Sequence, residues 1–63
     1  MVPVRTLRKR AGLRQTDLAQ LTNVSQPKIA KIESGLQRPS VELAKRIAAV
    51  LGFDWTEFFK ETA

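Results

Sequence analysis

Residues 15–33 read QTDLAQLTNVSQPKIAKIE. Leu18, Ala19 and Leu21 recur at helical spacing in the first part of this stretch, and Ile29 and Ile32 do so in the second. Two short helices are therefore expected, over residues 15–22 and 26–34, with a tight corner between them. Asn23 suits the corner because asparagine tolerates the left-handed conformation better than most non-glycine residues. Ser25 is the expected N-cap of the second helix, its hydroxyl accepting from the exposed first-turn N–H groups. Pro27 falls in the first turn, where no intrahelical N–H bond is lost. Val24 is left to plug the corner.

On the N-terminal side, Pro3 suits a helix start. Residues 4–11 read as a helix with Val4, Leu7 and Ala11 on one face, stopped by Gly12. Leu13 packs under that corner. Arg8 shares the inner face, and a base there needs a partner. Glu33 occupies the same kind of position on the third helix, beside Ile29. An Arg8–Glu33 ion pair, largely buried and tying the first helix to the third, is the expectation. At residue 14 a capping Ser, Thr, Asp or Asn is expected, and Arg14 stands there instead.

Beyond Gly35, residues 36–39 form a loop. Ser40 is the expected cap of a fourth helix over residues 41–51, with Leu43, Ala44, Ile47 and Leu51 inward, Ala48 and Val50 at the margins, and Lys45, Arg46 and Ala49 in solvent. Gly52 ends it. Asp54 to Glu57 has the spacing of a capping box, which predicts a fifth helix from near Trp55 with Phe58 in the core. Residues 60–63 read as a fraying tail. All four aromatic residues, Phe53, Trp55, Phe58 and Phe59, lie at this end. One small core does not easily absorb them, so Phe53, Trp55 and Phe59 are expected to form a two-fold dimer interface.

A chain of 63 residues is read as one small domain over residues 1–63. A domain of this size buries only about 60% of its unfolded surface, so its core is thin. The chain has no Cys and no His, which removes disulfides, thiolate or imidazole metal sites and Ser-His-Asp triads. No cofactor is expected. Asp54 and Glu57 are better explained as a cap than as catalytic carboxylates, and no nucleophile completes a site. No enzymatic activity is expected. No apolar run approaches the roughly 20 residues of a membrane span. Residues 1–3 are no signal peptide, Met1 suggests a natural start, and a cytoplasmic location is the default.

The net charge is +5 and the pI near 10.5. Residues 1–38 hold eight bases and two acids, a balance of +6, while residues 39–63 hold three bases and four acids, a balance of −1. A basic half beside a near-neutral half suggests one charged face turned toward a polyanion.

The residues Gln15, Leu18, Ala19, Val24, Ser25, Gln26, Ile29, Ile32, Glu33 and Gly35 resemble the helix-turn-helix of phage-repressor-like regulators, the Cro/CI or XRE family. The likeness runs from about residue 7 to residue 59. Asn23 departs mildly from it, since glycine is more usual at the corner. The resemblance implies an all-α, five-helix lambda-repressor-like domain with the helix-turn-helix at about residues 15–34. It also implies the Arg8–Glu33 pair. The third helix would lie in the major groove with its N-terminal residues at the base edges. Base contacts would then come from Gln26, Pro27, Lys28 and Lys31. Glutamine can bond adenine N6 and N7, lysine can donate to guanine O6 and N7, and proline can touch a thymine methyl. Phosphate contacts would come from Arg14, Gln15, Ser34, Gln37 and Arg38. The functional expectation is a double-stranded DNA-binding transcriptional repressor, acting as a homodimer on a palindromic operator. A different class of role on the same fold is a protein-interaction module, an antitoxin or adaptor gripping a protein partner with its aromatic end.

Overall fold

The computed structural model of the chain describes residues 3–59. Four α-helices follow one another: α1 Val4–Arg10, α2 Gln15–Thr22, α3 Gln26–Ser34 and α4 Val41–Leu51. A 3₁₀ helix, Trp55–Phe59, ends the described chain. The expected fifth α-helix is thus a short 3₁₀ piece. Asp54 explains its start: its Oδ1 accepts from the Thr56 N–H at 3.0 Å and the Thr56 hydroxyl at 2.7 Å. The tail expected at residues 60–63 lies outside the described residues.

Helix ends fall where the backbone can turn left-handed. Asn23 takes φ 59° at the C-cap of α2, and Gly12 takes φ 74° just past α1. A side chain at Gly12 would meet open space, so the glycine is needed for its φ and not for room. Behind it the Leu13 N–H reaches back to the Arg8 carbonyl at 3.1 Å, which closes the α1 terminus. Ser40 caps α4 by accepting from the Leu43 N–H at 3.2 Å. Ser25 has the extended N-cap backbone, but its hydroxyl makes no capping bond.

The core is built from Val4 of α1, Leu18 and Ala19 of α2, Ile29 and Ile32 of α3, and Leu43 and Ile47 of α4. Each fully buried Leu or Ile contributes about 1.5–3 kcal/mol by leaving water. Val24, Val50, Leu51, Phe53 and Phe58 pack against this cluster while half-buried. Three expectations need correcting. Leu21 is 59% exposed, and the buried residue at the end of α2 is Thr22. Thr22 lies one turn beyond Leu18 on the same face, and its hydroxyl is satisfied locally by the Leu18 carbonyl at 2.7 Å. Ala11 is exposed, because α1 ends at Arg10. On α4, Ala48 is buried and Leu51 only half so. Arg46 braces α4 against α2, donating to the Thr22 carbonyl at 3.4 Å and to Glu42 at 2.6 Å.

Candidate nucleic-acid interface

The α2–α3 corner aims the third helix. Ala19, a small residue, is buried where the two helices cross, and the Val24 N–H bonds the Ala19 carbonyl at 3.0 Å. With Ile29 and Ile32 turned inward, helical geometry leaves Gln26, Pro27 and Lys31 exposed and Lys28 half-buried. Among the described residues neither lysine enters an ion pair. The outward face of α3 therefore presents two lysines without an ion pair, Lys28 in the first turns and Lys31 in the last.

Behind this face lies a chain of polar bonds that starts in the interior. Arg8 Nε donates to Glu33 Oε2 at 2.6 Å, Arg8 Nη2 to Glu33 Oε1 at 3.2 Å, and Arg8 Nη1 to the Leu13 carbonyl at 2.8 Å. The two side chains are 8% and 4% exposed, so α1 is tied to α3 through a bidentate pair out of water. Gln15 Nε2 donates to Glu33 Oε1 at 3.1 Å. Gln26 Nε2 in turn donates to Gln15 Oε1 at 2.7 Å. Burial alone would push the Glu33 carboxyl up. The hydrogen bonds from Arg8 and Gln15, with the charges of Arg8 and Arg5, outweigh it and hold the group below the ordinary carboxylate range.

The flanks are polar and mostly exposed. Arg14 stands at the N-cap of α2, and Asp17 Oδ2 accepts from its backbone N–H at 2.8 Å, the return half of a capping box. An arginine has no acceptor with which to complete the other half. Its guanidinium instead folds onto Asp17, at 3.1 and 3.2 Å. That side-chain bond and the backbone bond lower the Asp17 pKa, and Arg14 is raised by the same contact. Ser34 and Gln37 are exposed. The Ser34 hydroxyl donates to the Lys31 carbonyl at 3.1 Å. The Leu36 and Gln37 N–H groups share that carbonyl at 2.9 and 3.2 Å, which fixes the loop after α3. Arg38 is exposed, with its guanidinium carbon 5.9 Å from the centre of the Phe59 ring.

Two residues of this surface carry no expectation from the sequence. Arg5 lines an open cleft with Arg8, Gln15, Ala30, Glu33 and Ser34, which adds a base on the side of Gln15. Its spacing of three from Arg8 puts both on one side of α1, and that signal was available. Leu36 is 82% exposed in the loop directly after α3. At the far end Phe53 meets Phe58 edge-on at 5.4 Å and Trp55 meets Phe59 at 6.1 Å. Lys45 Nζ sits 5.0 Å above the Trp55 ring. Phe53 and Phe58 face the core, while Trp55 and Phe59 take the cations.

A family model described as helix-turn-helix matches residues 4–58. The chain belongs to the XRE-type helix-turn-helix family. The matched residues take in α1 through most of the 3₁₀ helix, so the helix-turn-helix of α2 and α3 comes with its supporting frame. One relative is an uncharacterized HTH-type transcriptional regulator, YqaF, of Bacillus subtilis. It is 38% identical over 50 residues, which cover 79% of this chain and 66% of the relative. Another is an uncharacterized HTH-type transcriptional regulator of Methanothermobacter thermautotrophicus, 41% identical over 54 residues, covering 86% of this chain and 78% of the relative. The chain thus spans about two thirds of the length of the first and somewhat more of the second. No described helix of this helix-turn-helix protein is long and apolar enough to cross a membrane.

Proposed function

We propose that the chain is a sequence-specific double-stranded DNA-binding transcriptional regulator, and that it acts as a repressor. One observation carries the reading: the outward face of α3 offers Gln26 and Pro27 at its amino end, Lys28 half-buried beside them and Lys31 exposed in the last turn, and neither lysine has an ion pair among the described residues. A helix of this width fits the major groove, with its first residues at the base edges. Gln26, Pro27, Lys28 and Lys31 read bases. Arg14, Gln15, Ser34, Gln37 and Arg38 hold phosphates and set the register. The two relatives, both named as transcriptional regulators, support this.

The whole chain acts as one domain, two copies of which dimerise through Trp55 and Phe59, with Phe53 backing them from the core side. Two-fold symmetry then places the α3 helices in successive major grooves, about 34 Å apart, on a palindromic operator. Occupying that operator excludes polymerase. The protein works in the cytoplasm without cofactor or catalysis. Selection of bound duplexes from a random pool tests the reading. An enriched palindrome with half-sites one helical turn apart supports it. Retention by a protein partner with no enriched duplex would favour the adaptor role instead.

A further inference from the structure

We propose that Phe59 is a positioning residue for the Arg38 guanidinium, and so couples the aromatic end of the chain to the phosphate contact in the loop after α3. The inference rests on the DNA-binding reading above, in which Arg38 holds a phosphate. Arg38 is exposed, and among the described residues it enters no ion pair. Its guanidinium carbon lies over the Phe59 ring, 5.9 Å from the centre. That is inside the roughly 6 Å reach of a cation–π attraction.

Both sides of this contact are held from elsewhere. The Leu36 and Gln37 N–H groups pin the loop to the Lys31 carbonyl, and Pro39 restricts the backbone of Arg38 to extended conformations. Across from it, Phe58 packs against the core. Phe59 lies 6.1 Å from the Trp55 ring and 6.5 Å from the Phe58 ring, in a 3₁₀ helix whose start is fixed by Asp54. What remains free is the Arg38 side chain. A long exposed arginine loses rotamer freedom when it grips a phosphate. The ring restrains it beforehand, so less freedom is lost on binding. The attraction acts through the ring face and uses up none of the guanidinium N–H donors, which stay available to phosphate oxygens. Phe59 thus acts on DNA through Arg38 without touching it.

The experiment measures affinity by fluorescence anisotropy for a duplex carrying one half of the site selected from the random pool, too short for a second copy to bind. This sets aside the role of Phe59 between subunits. The wild-type chain is compared with Arg38→Ala, Phe59→Leu, Phe59→Tyr and the Arg38→Ala, Phe59→Leu double variant, each melted in parallel. Phe59→Leu should weaken binding about two- to five-fold. In the Arg38→Ala background the same change should weaken it no further, and Phe59→Tyr, which restores the ring face, should recover most of the loss. An equal loss with and without Arg38, or a loss that tyrosine does not recover, is what a packing role predicts and would overturn the proposal. Should Phe59→Leu melt below the assay temperature, the wild type decides: the Arg38 side-chain protons should show an upfield NMR shift from the ring, both free and on the duplex, and its absence overturns the proposal. If Arg38→Ala weakens binding and Phe59→Leu does not, the proposal fails while DNA binding stands. If the pool yields no enriched site, the DNA-binding reading falls and takes the proposal with it.

Discussion

Replacing Arg8 by Ala removes three hydrogen bonds at once, two to Glu33 and one to the Leu13 carbonyl. The larger cost is what stays behind. Glu33, its side chain 4% exposed, would hold a charge with no base against it. Breaking a buried pair from one side costs about 3–5 kcal/mol. Here the open cleft beside Gln15 and the nearby Arg5 charge lower that, so about 2–4 kcal/mol is expected at neutral pH. A 63-residue chain has a total stability of only about 3–9 kcal/mol. The melting temperature should fall by about 15–30 °C. The pH dependence adds a second check. In the wild type the folded-state pKa of Glu33 is depressed. Its contribution is therefore present above the unfolded carboxyl value, about 4.3, and is lost as pH falls through the lower folded value. In the Arg8→Ala variant burial is opposed only by the Gln15 hydrogen bond and the Arg5 charge, so the carboxyl moves up relative to wild type and protonating Glu33 relieves part of the penalty. Urea melts followed by circular dichroism at pH 7 and about pH 4 should show a smaller difference from wild type at the lower pH. An unchanged midpoint at pH 7, or a penalty that grows on acidification, would refute this account of the pair.

Five further substitutions separate capping, backbone and phosphate effects. Ser40→Ala should cost about 1 kcal/mol in thermal unfolding, whereas Ser25→Ala, which loses no capping bond, should cost a few tenths. Equal losses would contradict the capping assignments. Asn23→Val puts a β-branched residue at φ 59° and should cost about 1–3 kcal/mol, while Asn23→Gly should be near neutral; the same melts read both. Arg38→Ala should weaken binding to every duplex and lower the salt slope of the affinity by about one unit, measured by fluorescence anisotropy.

Much of the frame was legible because local chemistry decided it. Asn23 and the glycines mark helix ends through a conformation few other residues accept, and the apolar period of Leu18, Ile29, Ile32, Leu43 and Ile47 marks the core. Where two residues compete for one place, sequence pattern is weaker. Leu21 is the more apolar candidate at the end of α2, yet Thr22 shares the Leu18 face and can satisfy its hydroxyl within its own helix. At residue 14 the pattern asks for an acceptor, and the N-terminus of α2 is served instead from three residues downstream by Asp17. The 3₁₀ form of the last helix depends on how five residues fit against α4. The run from Glu33 through Gln15 to Gln26 could not be read at all. It joins residues 18 and 11 positions apart, and only the crossing of α2 and α3 brings them together.

Whether α3 is the surface that meets DNA can be seen residue by residue. An amide-resolved NMR titration of the labelled chain with a selected duplex should shift Gln15, Gln26, Lys28, Lys31 and the loop through Arg38, with the buried face of α4 nearly still. Shifts confined to Trp55–Phe59, with α3 unmoved, would contradict the placement of this helix in the groove.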